Sequence, residues 1–504
     1  MALLCAASTA ILLSSPVSGQ TMAFKQAVAE TAWDNDGIAE FYRTNGYRPI
    51  WTGEGKEYQA RRAALIETLK NAEIHGLPAG RYAVQDLLDQ MGSARSTRDL
   101  GKAEVALSRE FMKYANDVQY GVLVPSRVDA GMVRTIERRP ASDFLTELTT
   151  AEPARYMRQL APVSAQYRAL LKQKLRLEKI VAAGGWGPSV SAKKLEPGDR
   201  GPAVVALRNR LIQLGFMPRS ATGEFDARLE EAVRDFQTAN GLEPDGVAGP
   251  GTLKEINRTA ESRLKSVIVA LERERWLPYD RGPRHILVNQ TDFTARILDH
   301  GKVTFETRAV IGKNTSDRRS PEFSDVMEHM IINPSWHVPR SIITKEYLPQ
   351  LQANPNAAGH LLITDVRGRQ VDRSAMDFTQ FSARNFPFAM RQPPSSRNAL
   401  GLVKFMFPNK HNIYLHDTPQ KNLFSREVRA YSHGCIRLAQ PFEFAYALLA
   451  RQEEDPKTFF HRILKTGRET KVELEQHVPV HLIYRTAYVG SDGQIEFRRD
   501  VYGR

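Results

Sequence analysis

The chain has 504 residues, of which 42% are hydrophobic and 25% charged, and its formal net charge is +13. This length exceeds what one hydrophobic core usually organises, so about three domains are expected. The composition excludes a disordered or fibrous chain. The positive charge favours anionic partners, but Lys and Arg are spread along the chain instead of being gathered in one tail or helix, which argues against a nucleic-acid partner.

The first 19 residues, MALLCAASTAILLSSPVSG, have the apolar run and small-residue end of a secretory signal peptide, although no Lys or Arg precedes the run. The run is short for a bilayer span, and no later segment has 18 uninterrupted apolar residues, so no integral membrane segment is expected. We therefore expect export to the periplasm, with the mature chain beginning near Gln20.

Helical periodicity dominates residues 20–183. Apolar residues recur at helical spacing in ARRAALIETLKNAEIHGL, LGKAEVALSREFMKYANDVQYG and PARYMRQLAPVSAQYRALLKQKLRLEKIVAAG. This predicts an all-helical N-terminal region. Trp51 is typical of a core anchor, and the alternative is a recognition surface shared with Arg48. Residues 184–194 are rich in small residues and Pro, which predicts a linker.

Residues 195–258 contain three short helical patterns. The first is ended by Gly215, and Asp226 is a suitable N-cap for the second. The phrase PDGVAGPGTLKEIN supplies a turn and a third helix. Residues 259–282 predict a helix that connects this unit to the rest of the chain.

From residue 283 to residue 490 the pattern changes to short runs typical of strands, such as HILVNQ, TARILD, TFETRAVIG and VPVHLIYRTAYV. This predicts a mostly β domain. A long Pro-rich insertion interrupts it at residues 334–400, and we expect the insertion to cap a neighbouring site. Trp336 in this insertion is either a substrate contact or part of the insertion's own core. Residues 491–504 are expected to form a last strand and tail.

Cys435 would be the only cysteine left after export, because Cys5 lies in the signal peptide. A lone thiol in an oxidising compartment is a liability unless it has a chemical role, and a buried structural cysteine is the alternative. His416 lies 19 positions before Cys435, after a short alternating run that predicts a strand. An imidazole of this kind can take the proton of a thiol.

Two neighbours of the cysteine suit acyl transfer. Gly434 permits a tight backbone turn, so that the N–H groups of Gly434 and Cys435 can face a developing oxyanion. Arg437 can bind a substrate carboxylate through two hydrogen bonds. From the residues alone, the chemistry is thiol acyl transfer of unspecified substrate.

The motif S-H-G-C-I-R, together with the upstream Y-L-H-D-T-P, resembles the signature of L,D-transpeptidase catalytic domains. The resemblance implies that Cys435 is the nucleophile, that His416 is the general base and that Arg437 holds the donor peptide. It also implies residues that shape or line the site: Gly434, His433, Ser432 and Tyr414. A turn cap is the alternative for Ser432, and simple packing is the alternative for Tyr414.

Two further regions resemble parts of the same proteins. The phrases G-x-F-D, A-V-x-x-F-Q and D-G-V-x-G-P-x-T-L resemble the three-helix peptidoglycan-binding module. FYRTNGYRPIW, AEIHGL and QYGVLVPSRVD resemble the scaffold region of the large subfamily of L,D-transpeptidases. The expected architecture is therefore multidomain α+β, with a helical N-terminal scaffold, the three-helix module and a mostly β catalytic domain that carries a capping insertion.

The resemblance implies a periplasmic enzyme that forms 3-3 peptidoglycan crosslinks through a cysteine acyl-enzyme. Tetrapeptide stems would be donor and acceptor, other cell-wall enzymes would be further partners, and neither a cofactor nor a metal would be needed. The alternatives are an L,D-carboxypeptidase, another cysteine hydrolase of wall peptides and a non-catalytic wall-binding scaffold. A zinc site of His416, His433 and Cys435 is also open, although no typical metal motif accompanies these residues.

Overall fold

The computed structural model describes residues 16–278, 280–490 and 492–504. Most of the predicted signal peptide, including Cys5, lies outside the described residues. Within these ranges, no helix has the length and apolar character that crossing a membrane requires.

The N-terminal region is helical, as predicted: α1 (Pro16–Ala32), α2 (Asp36–Thr44), α3 (Lys56–Lys70), α4 (Val84–Ser93), α5 (Thr97–Tyr120), α6 (Pro125–Val128), α7 (Ala141–Thr150), α8 (Pro153–Gln159) and α9 (Ala165–Ala182). Ser96 and Asp99 form a capping box at the start of α5. Trp51 is fully buried, and its Nε1 donates to Ser108 Oγ at 2.8 Å. Trp51 is therefore a core residue, and the alternative of a recognition surface that includes it is wrong.

Three short helices follow, α10 (Pro202–Leu214), α11 (Ala227–Ala239) and α12 (Pro250–Ile256). Gly215 ends α10 with a φ of 88°, a conformation that glycine adopts readily. Asp226 caps α11, because its side chain accepts from the N–H of Leu229 at 2.9 Å. The three helices share one hydrophobic cluster. The predicted connecting helix is α13 (Ala260–Arg275).

The rest of the chain is mostly β. Its strands are β1 (Arg284–Asn289), β2 (Thr294–Asp299), β3 (Lys302–Gly312), β4 (Phe323–Ile332), β5 (Trp336–His337), β6 (Leu362–Thr364), β7 (Ala389–Gln392), β8 (Val403–Met406), β9 (Leu415–His416), β10 (Ala430–Ser432), β11 (Ile436–Leu438), β12 (Thr470–Ile483), β13 (Ala487–Val489) and β14 (Ile495–Phe497). Its helices are α14 (Arg340–Ile342), α15 (Leu348–Ala353), α16 (Pro441–Leu449) and α17 (Pro456–Leu464).

The largest sheet has the strand order β10-β3-β11-β9-β8-β4-β12-β1-β2. Because β2 also pairs with β3, the sheet curls round and closes on itself. The largest hydrophobic cluster of the domain is built from these strands together with α16 and α17. The strands β8, β9 and β11 are neighbours; His416 lies on β9, Arg437 lies on β11, and Cys435 immediately precedes β11. The predicted α+β class, with a helical N-terminal region, a helical module and a mostly β domain, is confirmed.

The insertion after β4 forms a small layer of its own. It contains the three-stranded sheet β5-β7-β6, α14, a π-helical turn at Ile343–Tyr347 and α15. A separate cluster of apolar side chains, including Leu351, Ile363 and Phe386, fills its centre. The insertion therefore has its own core beside the curled sheet.

The C-terminal residues are packed against the rest of the protein. β14 pairs with β13, and both strands contact the cluster between α9 and α13. Tyr502 is buried in the core of the mostly β domain. The Arg504 guanidinium lies 3.4 Å from the Glu322 carboxylate. The expected last strand is present, and the expected tail is anchored by these contacts.

Candidate active site

Side chains alternate between the hydrophobic core and a pocket along β8, β9, β11 and the residues beside these strands. One set of alternate side chains is buried in the core: Val403, Phe405, Ile413, Leu415, Ile436 and Leu438. The other set lines a pocket of about 1120 Å³ under the insertion: Lys404, Tyr414, His416, Cys435 and Arg437. Successive residues of a strand point to opposite faces, so the two-residue period places these five polar side chains together.

His416 lies between two cations on neighbouring strands. Lys404 is its antiparallel partner on β8, and Arg437 is its parallel partner on β11. Burial, with help from Arg437 and Lys404, lowers the pKa of His416 to about 3, although the carbonyls of Asp417 and Leu400 oppose the shift. Nδ1 lies 2.5 Å from the Asp417 carbonyl. An Nδ1–H donated there leaves a neutral imidazole with Nε2 as the acceptor.

The Cys435 thiol faces the same pocket. It donates to the backbone carbonyl of Asn412 at 3.6 Å. Burial raises the pKa of Cys435 to about 11, although hydrogen bonds from Tyr414 and the charges of Arg437 and Lys404 lower it. Within the described residues, no hydrogen bond joins this thiol to His416. The directions of the two pKa shifts favour a neutral thiol and a neutral imidazole over a preformed thiolate and imidazolium.

The turn before the cysteine is held by its own side chains. Ser432 Oγ donates to the Cys435 carbonyl at 2.6 Å and accepts from the Gly434 N–H at 3.1 Å. Gly434 has a φ of 118°, a region that favours glycine. Because the Gly434 N–H is occupied, the expectation that it faces an oxyanion is wrong. Ser432 acts as a turn cap, although it also borders the pocket.

One predicted site residue contacts the insertion, and another belongs to it. His433 Nε2 lies 2.7 Å from Glu346 Oε1, and Arg318 donates to the same oxygen at 2.6 Å. The Trp336 ring packs edge-on against Tyr347 at 6.3 Å while bordering the pocket. Trp336 is thus partly core of the insertion and partly pocket wall, so both interpretations of it stay open.

Arg437 keeps hydrogen-bonding capacity for a ligand. Its Nη1 donates to Gln420 Oε1 at 2.6 Å, and its buried Nε has no partner. Asp417 fixes the loop that follows His416, because its carboxylate accepts from the N–H groups of Leu402 at 2.9 Å and Thr418 at 2.7 Å. The sequence assigned Asp417 no specific role.

A zinc site has no support from this geometry. Among the described residues, no group of three or more His, Cys, Asp or Glu side chains is arranged to hold a metal ion. One ring nitrogen of each histidine already has a hydrogen-bond partner. His416 Nδ1 contacts the Asp417 carbonyl, and His433 Nε2 contacts the Glu346 carboxylate.

Four residues of the site were missed from the sequence: Lys404, Asn412, Glu346 and Arg318. The alternation in V-K-F was a usable signal for Lys404, because it places the lysine on the face opposite Val403 and Phe405. The other three reach the site through tertiary contacts, for which the local pattern contains no signal.

Three family models match the chain. The model described as "L,D-transpeptidase catalytic domain" matches residues 283–474. The chain carries an L,D-transpeptidase catalytic domain. The models described as "Putative peptidoglycan binding domain" and "Scaffold domain" match residues 200–256 and 36–174, so this L,D-transpeptidase domain is accompanied by both other predicted units.

The chain is similar to two curated proteins, one of which is described as an L,D-transpeptidase. A "Putative L,D-transpeptidase" of Haemophilus influenzae is 31% identical over 220 residues, which cover 43% of this chain and 44% of that protein. An uncharacterized protein of Kitasatospora aureofaciens is 39% identical over 72 residues, which cover 14% of this chain and 61% of that protein. The chain thus spans about half the length of the curated relatives it matches.

Solved structures of L,D-transpeptidases are also similar to this chain. Those from Xylanimonas cellulosilytica and Stackebrandtia nassauensis are each 15% identical and each cover 59% of this chain. The alignments include 100% and 97% of these two solved chains, and the TM-scores are 0.18 and 0.22.

Proposed function

We propose that this protein is a periplasmic L,D-transpeptidase that forms 3-3 crosslinks between tetrapeptide stems of peptidoglycan. The observation that carries the proposal is the convergence of Cys435, His416 and Arg437 on one pocket of the L,D-transpeptidase domain. Cys435 is the proposed nucleophile and His416 the proposed base. Arg437 is the proposed contact for a stem carboxylate, because its Nε is buried without a partner.

The first half-reaction transfers the donor stem to the thiol. His416 Nε2 takes the Cys435 proton as the sulfur attacks the carbonyl of the diaminopimelate residue at position three. The tetrahedral intermediate then collapses: its bond to the terminal D-Ala nitrogen breaks, and the His416 imidazolium returns the proton to that leaving amine. A thioester on Cys435 and free D-Ala result.

The second half-reaction uses an amine of another stem. His416 takes a proton from this amine as it attacks the thioester, and Cys435 leaves as a thiolate that recovers the proton. The product is an amide between two third-position residues. Water in place of the amine gives L,D-carboxypeptidation, which is the alternative outcome at the same site.

Four groups are proposed to stabilise the developing negative charge. Lys404 and Arg437 lie on the strands that flank β9, and both lower the pKa of Cys435. Since Gly434 uses its N–H within the turn, the N–H of Cys435 and the Tyr414 hydroxyl are the proposed oxyanion donors. Fixed cations of this kind stabilise a thiolate or an oxyanion more strongly in a pocket than in water.

The test incubates the purified full chain with disaccharide tetrapeptide and weighs the products. We expect release of D-Ala and a 3-3 dimer, both absent in Cys435→Ala. Release of D-Ala without dimer identifies the carboxypeptidase instead. Neither product, together with sedimentation on purified sacculi, identifies a non-catalytic scaffold, and loss of activity on chelation identifies a metal hydrolase.

We also propose export to the periplasm. The apolar run and small-residue end of residues 1–19 support the proposal, and the domains that match are ones that act on the cell wall. Mass spectrometry of the protein from fractionated cells should find a mature start near Gln20. An intact start recovered from the cytoplasm contradicts export.

A further inference from the structure

A second cavity lies where the three-helix module meets α9 and the strand β14. Its volume is about 190 Å³. It shares no lining residue with the pocket of Cys435. Its walls come from α9, the segment at Trp186, the three-helix module, α13 and residues 493–497, so the peptidoglycan-binding module by itself would lack several of them.

The floor of this cavity is aromatic. Trp186, Phe216 and Phe236 line it, and the rings of Phe216 and Phe236 pack edge to face at 5.3 Å. The Trp186 Nε1 is buried and has no hydrogen-bond partner. Aromatic ring faces are electron-rich and attract polarised C–H groups, while an unpartnered indole N–H calls for an acceptor. A matching ligand would place C–H groups against the aromatic rings and a hydrogen-bond acceptor oxygen near the Trp186 N–H.

The rim of the cavity is made of free polar groups. Among the described residues, no hydrogen-bond partner is found for the side chains of Gln173, Gln213, Gln494 and Arg176. Primary amides both donate and accept, which matches hydroxyl and acetamido groups. Arg176 presents a fork suited to a carboxylate.

The other cations of the cavity are already paired. Arg258 and Arg263 both contact the Glu255 carboxylate, at 2.7 Å and 3.3 Å, whereas no acidic side chain in the described part of the chain lies within 4 Å of the Arg176 guanidinium. The anionic part of a ligand is therefore directed to Arg176. The position of this residue on the exposed part of α9 leaves room for a chain that continues beyond the cavity.

We propose that this cavity binds one amino-sugar ring that carries a carboxylate, as the lactyl-substituted sugar of the wall glycan does. The inference rests on the proposed action on peptidoglycan and adds a glycan subsite outside the catalytic pocket. Pockets for drug-sized ligands measure about 300–1,000 Å³, so a cavity of this size fits a single ring and not a longer oligosaccharide. The sugar ring packs on the aromatic side chains, the glutamine amides hydrogen-bond the acetamido and hydroxyl groups, and Arg176 pairs with the carboxylate.

The test measures binding of three soluble probes to the full chain by ligand-observed NMR: N-acetylmuramic acid, N-acetylglucosamine and the stem dipeptide alone. We expect the acidic sugar to bind at least fivefold more tightly than the neutral sugar. Arg176→Gln should abolish this preference, and Trp186→Phe, which keeps a ring but removes the N–H, should weaken both sugars. Arg168→Gln, on an exposed position of the same helix, is the matched control and should bind like the wild type.

Equal binding of the two sugars to the wild type, or an unchanged preference in Arg176→Gln, overturns the inference. Binding of the dipeptide that Trp186→Phe weakens in the same way also overturns it, because the ligand is then a peptide. Crosslinking of soluble stems by the wild type is measured separately. Sugar binding without crosslinking refutes the proposed activity and leaves the subsite standing, whereas crosslinking without sugar binding refutes the subsite alone.

Discussion

His433 Nε2 lies 2.7 Å from Glu346 Oε1, so the histidine of the S-H-G-C motif is joined to the capping insertion. Arg318 donates to the same carboxylate oxygen, and Lys345 pairs with Asp317 at 2.7 Å nearby. These contacts tie the π-helical turn of the insertion to the floor beside Cys435. Polar contacts therefore join the insertion to the part of the domain that carries Cys435.

Replacing Glu346 by Gln should loosen the insertion. The amide keeps the size of the side chain but removes the charge that Arg318 and His433 contact. Partly exposed ion pairs of this kind contribute on the order of 1 kcal/mol, so the open population of the insertion should increase roughly fivefold. The hydrogen-exchange rate of the backbone amides of α15 measures this population. Glu454→Gln, on an exposed position without an ion pair, is the control, and equal exchange in both variants contradicts the role of Glu346.

A carbapenem should acylate the thiol, as the resemblance to carbapenem-sensitive L,D-transpeptidases implies. A strained β-lactam carbonyl is attacked by the same sulfur as the stem, so the intact mass should rise by one whole carbapenem at Cys435. Cys435→Ser should lose the adduct, and His416→Ala should slow acylation by about 10²–10⁴-fold, the usual contribution of proton transfer.

Thermal melting must accompany this measurement. Cys435→Ser has nearly the same volume as the wild type and should melt at a similar temperature. A collapse of the fold in that variant supports the alternative of a structural cysteine. An adduct that persists at the wild-type rate in Cys435→Ser rules out this sulfur as the nucleophile.

Removal of the Lys404 charge should make the thiol less acidic. Lys404 lowers the pKa of Cys435, so Lys404→Met should raise that pKa above about 11 and reduce the thiolate fraction at any lower pH. Each pKa unit is a tenfold change, and we expect alkylation by iodoacetamide at pH 8 to slow by about three- to tenfold. Lys404→Arg should restore most of the rate. Lys410→Met, at an exposed position, should be alkylated at the wild-type rate. If its alkylation slows as much as that of Lys404→Met, the effect comes from the overall charge of the protein and not from the position of Lys404.

Acid should destabilise the mostly β domain through its buried histidines. Burial lowers the pKa of His481 to about 3, as it does for His416, whereas an unfolded histidine titrates near 6.5. The unfolded chain thus binds more protons between these values. The stabilisation is complete above about pH 6.5 and is lost as the pH falls towards 3, by at most about 1.4 kcal/mol per pH unit for each group.

The variant His481→Gln isolates one of these groups. Hydrogen exchange of β12, which pairs with β4 through His481 and Ser324, reports the unfolding free energy at several pH values. We expect a shallower loss between pH 6 and pH 4 in this variant. His477→Gln, at an exposed position of the same strand, should keep the wild-type slope. Identical slopes in all three proteins show that other groups govern the acid response.

Much of the fold could be predicted because local chemistry determined it. Gly215 and Asp226 ended and began helices where their backbone and capping preferences require. The two-residue alternation of the runs after residue 283 identified strands, including the short strand that carries His416. The resemblance of the motif implied a common site for Cys435, His416 and Arg437, and all three line one pocket.

The remainder depended on contacts distant in sequence. The Gly434 N–H was expected to face a ligand, but the Ser432 hydroxyl takes it, and hydroxyl orientation is not readable from residue spacing. The contact of His433 with Glu346 spans 87 positions. Likewise, the cavity beside Trp186 is formed by segments that are distant in sequence, so no single stretch of sequence predicts it.

The high pKa of the resting thiol has a consequence for redox durability. Oxidation by peroxide and exchange with disulfides both proceed through the thiolate, and a thiol with a pKa of about 11 carries very little of it near neutral pH. In an oxidising compartment, such a cysteine resists conversion to sulfenic acid while the pocket is empty. The thiolate that oxidants attack then forms mainly during turnover, when the proposed base His416 takes the proton from sulfur.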